Sequence, residues 1–558
     1  MKLRFFSSLI FLVAVANSCT DDFLTKHPLD SPASSQFFSN EKELTMAINS
    51  AYRTLYWLSG DNVPNQLFLD GATDLVWIRG AYVDMQVIQS GQFTPQTTMF
   101  NSTWSFYYQA ISRCNNILDN MHRAQGRVSE TFYQQIEAQA RFLRAYAYHY
   151  LVNLYGDVPL VTSMLELDEA QMPKTARATV VEQMLADLDF AAAHLPDAWT
   201  GSDEGRITRG AALSLKARTA LYEGLFKTAA SAAGEVIASD IYSIYPDYGN
   251  LFKYAGEHSQ EAILNMPFLL EVQAVQTPRY LGTRSAPGYS VIVPTQTMVD
   301  RYQATDGKQI DESAVYDASN PYDNRDPRLD QSILRPGMWY NGYLFQTHPD
   351  ARTTERNVGG VISTVNNLEV TNAYATFTGY IWKKYFDEAD LPANVTRSTL
   401  DFMLIRYAEV LLTYAEAKIE LNQIDQTVVD AINAVRQRPS VNMPAATLSL
   451  TQEELRQLVR YERTVELAGE GFRLFDIRRW RIAEQVLPGN MLGRRTKEHW
   501  YDPVVPSFNA AGKPVYNNET TIFQVISTNI FDASKNYLWP IPQREIDLNG
   551  ELVQNDGY

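Results

Sequence analysis

The run Glu130–Pro159, ETFYQQIEAQARFLRAYAYHYLVNLYGDVP, decides the fold class. Ile136, Leu143, Ala147, Leu151 and Leu154 recur along it at helical spacing, so one face is apolar and can be buried. Gly156 and then Pro159 end it, as glycine and proline end helices generally. The spacing predicts a long helix over Glu130–Tyr155.

Similar periodicity lies on both sides. Asn40-Glu41-Lys42-Glu43 opens a segment with Leu44, Ile48, Ala51 and Leu55 on one face. Trp104, Tyr108, Ile111, Ile117 and Met121 form another stripe, and further helices are predicted at Thr179–Leu195, Thr208–Glu223 and Lys227–Ser239. Beyond an irregular middle come Leu400–Leu421, Val428–Arg438 and Glu453–Glu470, the last preceded by a Thr451/Glu454 capping box. Ala138, Ala140, Ala145 and Ala147, with Ala211, Ala212, Ala217 and Ala220, permit the close helix approach that stacked helix–turn–helix repeats of tetratricopeptide type require. No clean period is present, so the repeats are read as degenerate. The fold class expected is mostly α, with tetratricopeptide-like helix pairs supporting a loop-rich half.

The chain divides accordingly: a leader over 1–18, a tether over 19–39, a helical scaffold over 40–240, a loop-rich ligand-binding region over 241–398, returning helices over 399–485 and an irregular packing region over 486–558. In the leader, a basic start precedes a short apolar run from Phe5 to Ala16, too short to span a bilayer with ease. Ala16-Asn17-Ser18 then leads into Cys19, an arrangement that resembles a bacterial lipobox. Cys19 is the expected point of lipidation, and acyl chains there would hold the protein to a membrane. The only other cysteine is Cys114, so no disulfide framework is available and a large core must supply the stability.

Acidic residues outnumber basic ones 64 to 48, for a net charge of −16 over 558 residues. That balance makes nucleic acid a poor partner. It also favours a neutral ligand over a polyanionic one. No nucleophile elbow, zinc-protease, phosphate-loop or dinucleotide-binding motif occurs, and the seven histidines are scattered singly. A pair of carboxylates placed only in space, as a glycosidase needs, is not legible in a sequence.

The chain is rich in aromatic rings, with 32 Tyr, 25 Phe and 9 Trp. Such rings stack on the apolar face of a sugar, while Asp, Asn and Arg bind its hydroxyls. Two loop-like clusters suit this chemistry. Asp70–Tyr82 offers Asp74, Trp77, Arg79 and Tyr82, and Arg335–Tyr343 offers Trp339 and Tyr340. Tyr289, beside Gly288, is a further candidate. The run Glu470–Trp480, dense in charge and aromatics, reads as a buried or half-buried ion-pair network that fixes a helix against its neighbours.

Taken in order, several segments resemble the SusD-like (RagB/SusD) outer-membrane lipoproteins. They are Cys19–Leu24, Ala140–Tyr146, Leu154–Leu160, Asn324–Leu329, Ile405–Leu412 with Ala415–Ala417, Glu470–Trp480 and Gln554–Tyr558. The resemblance implies four tetratricopeptide-like helix pairs under a loop-rich ligand-binding half. It also implies a surface-exposed lipoprotein that captures glycans or other nutrients as the lid of a SusC-like TonB-dependent transporter, with the acidic Asp21-Asp22 serving as an outer-surface address. Members are binding proteins and not enzymes, and no cofactor or metal is expected. Two other readings of the same residues are a protein-interaction scaffold or peptide-binding lid, and a lipid-anchored glycoside hydrolase.

Overall fold

The computed structural model describes residues 37–80 and 83–558. The leader, Cys19, the tether up to residue 36, and Tyr82 lie outside the described residues. The helices that carry the core are α1 (Glu41–Ala51), α2 (Thr98–Asn120), α3 (Glu130–Tyr155), α4 (Arg177–His194), α5 (Arg209–Tyr222), α6 (Phe226–Ala238), α7 (Tyr407–Glu420), α8 (Gln426–Arg436), α9 (Gln452–Glu466) and α10 (Arg473–Arg479).

Local chemistry sets their ends. Ser129 Oγ accepts the Phe132 N–H at the start of α3, and Gly156 closes it with φ +81°. Thr451 and Glu454 form the predicted capping box on α9, each side chain satisfying the other residue's N–H. Asn40 caps α1 through the Glu43 N–H, and Leu44, Ile48 and Ala51 are buried. From Phe142 to Tyr155 every residue of α3 is buried, because α2 packs on one flank and α4 on the other. Packing then continues α4 on α5, α5 on α6, α6 on α7, and α7 on α8 and α9. The returning helices therefore extend the same stack after the long excursion over 241–400. Gly234 makes this junction close, since a Cβ there would lie 3.4 Å from the Tyr414 ring.

Short strands hold the excursion: β1 (Val76–Ile78), β2 (Ala262–Met266), β3 (Ile292–Pro294), β4 (Trp339–Tyr340), β5 (Tyr343–Leu344), β6 (Thr353–Val358), β7 (Val361–Asn366) and β8 (Phe402–Arg406), with β9 (Gly489–Arg495) and β10 (Phe523–Asn529) beyond the stack. β1 pairs antiparallel with β3, β2 with β8 and β9 with β10, while β4 to β7 form a four-stranded meander. Two departures from the predicted elements stand out. The helix expected over Leu400–Leu421 starts only at Tyr407, because Phe402–Arg406 is a strand paired with β2. All five of its residues are buried, and a continuous apolar run of that length fits either element. The 486–558 region, expected to be mostly irregular, contains the β9–β10 pair, whose register shifts twice along its length.

A buried ion network fastens the loop-rich half to the helices. Arg406 reaches Glu470 at 2.7 Å and both Glu261 and Glu466 at 2.8 Å; Arg438 shares Glu261 and Glu466; Arg328 joins Asp326, Glu462 and Glu466; and Lys384 bonds Glu470 at 2.9 Å. Burial opposes the charge on Glu466, but Arg438, Arg406 and Arg328 outweigh it and hold its carboxyl well below the usual carboxylate range. Removing one member would strand a buried charge, a cost of about 3–5 kcal/mol.

Candidate functional site

The Asp70–Tyr82 cluster is built inward before it turns outward. Asp70 is fully buried, and its carboxylate accepts the N–H groups of Gly469, Gly471 and Arg473 at the start of α10. Asp74 is gripped by Arg473, with Nε to Oδ1 at 2.9 Å and Nη2 to Oδ2 at 2.8 Å. Burial works against an ionised Asp74, yet the Arg473 guanidinium keeps its carboxyl below the usual range. Trp77, 5% exposed in β1, packs on Phe377 with ring centroids 5.1 Å apart. Asp74 and Trp77, both candidate ligand contacts from sequence, are therefore interior side chains that brace the loop. Arg473 and Asp476, both within the run expected to form a buried ion-pair network, do belong to one but take different partners: Asp476 pairs with Arg463 and Arg479.

Arg79 is where the segment reaches the surface. Its backbone N–H donates to Val291 O at 2.8 Å, extending the β1–β3 pair toward the 280–291 loop. That loop folds on itself through Val291 N–H to Tyr280 O and Ser290 N–H to Gly282 O. The turn needs glycine at both Gly282 and Gly288, since a Cβ on Gly288 would lie 2.3 Å from the Gly282 carbonyl carbon. The half-buried Tyr289 is flanked by two guanidinium groups, Arg279 at 4.2 Å and Arg284 at 5.4 Å from the ring centroid. Arg79 lies 4.9 Å from the centroid of Tyr374, a ring that is 61% exposed, and Phe377 next to it is 38% exposed. Arginine and aromatic side chains thus share one surface patch, with cation–π contacts holding the guanidinium groups in place.

Trp339 and Tyr340 occupy adjacent positions of β4 and point to opposite faces. Trp339 is 45% exposed, whereas Tyr340 is buried against Phe386 at 5.7 Å. Phe386 also abuts the base of the Tyr289 loop, since a Cβ on Gly282 would lie 2.9 Å from its ring. Of the described sequence candidates, Arg79, Tyr289 and Trp339 reach solvent, and Asp74, Trp77 and Tyr340 support them from beneath. Sequence reasoning missed Arg284, Tyr374 and Phe377. They sit in the loop-rich region without a local motif, and only the fold brings Tyr374 to Arg79.

Two larger clefts lie elsewhere. One, of about 920 Å³, is bordered by Arg436, Arg460, Arg473 and Trp480; the other, of about 750 Å³, by Arg177, Arg478, Arg479 and Asn555. Many of their cations are engaged within the protein, as in Arg436–Glu462, Arg177–Glu223 and Arg479–Glu416. Among the described residues no group of three His, Cys or carboxylate side chains is placed to hold a metal ion, and no helix is long and apolar enough to cross a membrane.

A stack of helices bearing a loop-rich half with an arginine–aromatic surface patch defines a helical binding-protein class. The chain belongs to the SusD family, whose model matches residues 251–558; a second family model, described as starch-binding and associating with the outer membrane, matches residues 22–221. SusD-like protein P2 of Formosa agariphila is 27% identical over 575 residues, covering 100% of this chain and 99% of that relative. The crystal structure of a SusD-like carbohydrate binding protein from Bacteroides fragilis is similar with a TM-score of 0.81 and 29% identity, over 93% of this chain and all of that one. A laminarin binding SusD-like protein shares the fold at a TM-score of 0.67 and 22% identity, over 93% of this chain and 100% of that chain.

Proposed function

We propose that the protein is a cell-surface glycan receptor. It captures an oligo- or polysaccharide on the Arg79–Tyr289–Tyr374 patch and delivers it to a SusC-like TonB-dependent transporter, while a lipid on Cys19 holds it to the outer membrane. The observation that carries this reading is the patch itself. Exposed aromatic rings stand beside guanidinium groups on a rigid base, the combination that stacks on a sugar face and binds its hydroxyls. Support comes from the Bacteroides fragilis neighbour, described as carbohydrate binding, and from the laminarin-binding neighbour of the same fold. The reading is of a binding protein without catalytic activity, and the 241–398 region supplies most of the ligand face.

Calorimetric titration against a panel of soluble polysaccharides tests it. Heat with at least one glycan, and no new reducing ends after prolonged incubation with it, is the expected result. New reducing ends would favour a hydrolase, and silence across the panel would favour a protein-interaction scaffold.

A further inference from the structure

We infer that the Arg79–Arg284 cluster receives an anionic substituent of the captured glycan, a carboxylate or a sulfate ester; this deepens the glycan reading above and rests on it. Several buried arginines of this protein are matched to carboxylates, Arg473 to Asp74, Arg406 to Glu470 and Arg328 to Asp326, and others, Arg301 and Arg325, donate to backbone carbonyls. Arg79 and Arg284 are not matched to a carboxylate in this way. Among the described residues neither has a carboxylate oxygen within 4.0 Å, and the Nε of each is buried without a hydrogen-bond partner. Arg284 spends one Nη1 bond on Gly288 O at 3.0 Å, and Arg79 has no side-chain hydrogen bond to the described protein.

The carboxylates nearby are tied to other groups but not wholly spent: one oxygen of Glu369 is buried without a hydrogen-bond partner, and its charge acts on Arg284 from beyond salt-bridge distance. Glu369 is 2% exposed, and its Oε1 accepts both the N–H and the hydroxyl of Ser285 at 2.8 Å. Asp61 accepts the Tyr280 hydroxyl. Among the described residues the rings against these guanidinium groups are Tyr374 over Arg79, and Tyr289 beside Arg284 and Arg279. Burial, and then the charge of Arg284, push the pKa of Arg79 down, so the two cations are held near enough to repel. Half-buried like charges kept together without a carboxylate in direct contact are unfavourable, and an anion placed between them relieves that repulsion. Guanidinium suits carboxylate and sulfate oxygens because its N–H groups fork and are weakly hydrated. The net charge of −16, which favours a neutral ligand, acts weakly here: charges beyond about 8 Å are largely screened at physiological salt, and contact charges decide.

The test is a binding panel of matched pairs on the purified full chain. Polygalacturonate and alginate are compared with their carboxyl-reduced forms, and carrageenans with their desulfated forms, in wild type and in the Arg79→Gln and Arg284→Gln variants. The expected result is that a charged polymer binds at least about tenfold more tightly than its neutral partner, that each variant erases most of that preference, and that 0.5 M NaCl weakens wild-type binding. The carboxylate and sulfate arms tell the two sources apart. Arg79→Lys, which keeps the charge, is expected to retain part of the preference, and the salt series on wild type stands even if a variant fails to fold. Equal or tighter binding of neutral partners would overturn the inference and leave the glycan receptor standing. Binding of neither member of any pair would overturn both.

Discussion

Arg473 holds both carboxylate oxygens of Asp74, at 2.9 and 2.8 Å, and so ties the segment that presents Arg79 to a helix almost four hundred residues away in sequence. Both side chains are buried, 4% exposed in each case. The pair acts on the proposed ligand face indirectly, by fixing the backbone that carries it. Asp74→Asn leaves Arg473 charged and unpaired, and should cost about 3–5 kcal/mol in urea denaturation at pH 7.

The same pair has a pH signature. The carboxyls of Asp74 and Glu466 titrate below their unfolded values of 3.8 and 4.5. Their stabilisation is therefore fully present above those values and is lost as pH falls through the folded-state pKa. Asp300, pushed up to about 6 by burial, acts in the opposite sense, losing its contribution as pH rises through that value. Thermal midpoints of wild type should fall steeply below about pH 4. Asp74→Asn, less stable at neutral pH, should show a shallower fall over that acid range.

The two tryptophans proposed from sequence should behave oppositely. Trp77 is 5% exposed and fills the space beneath Phe377, so Trp77→Ala should cost about 3–5 kcal/mol through the cavity left behind. Trp339 is 45% exposed, and Trp339→Ala should change stability by less than about 1 kcal/mol. Equilibrium denaturation of both variants gives the comparison, and equal costs would mean that the β4 hairpin packs differently from this description.

Tyr374 is the most exposed ring of the patch and contacts Arg79 alone among its cations. Tyr374→Ala should weaken glycan binding about five- to tenfold, the equivalent of about 1–1.4 kcal/mol, while stability changes by less than about 1 kcal/mol. Titration calorimetry beside a denaturation curve separates the two effects. Wild-type affinity itself should be micromolar or weaker, because a shallow platform leaves the sugar partly solvated.

How far the sequence can be read follows from the range of the interactions involved. Helix α3 was legible because its signals are local: the apolar spacing along it and Gly156 at its end, while the structure adds the Ser129 cap at its start. Strand β8 was not, since Phe402–Ile405 is a continuously buried apolar run whose pairing partner lies far away in sequence. The ligand face divides in the same way. Arg79 and Tyr289 could be chosen for their chemistry beside turn residues, but whether Asp74 or Trp77 faces inward depends on Arg473 and Phe377, and Tyr374 gains its meaning only from lying against Arg79.

A crystal structure of the protein with an oligosaccharide identified by the binding panel would show where the sugar sits. The expected result is a sugar ring in contact with Tyr374 and with the guanidinium groups of Arg79 and Arg284. A ring bound in either of the larger clefts, or over Trp339 alone with the Arg79 patch empty, would contradict it.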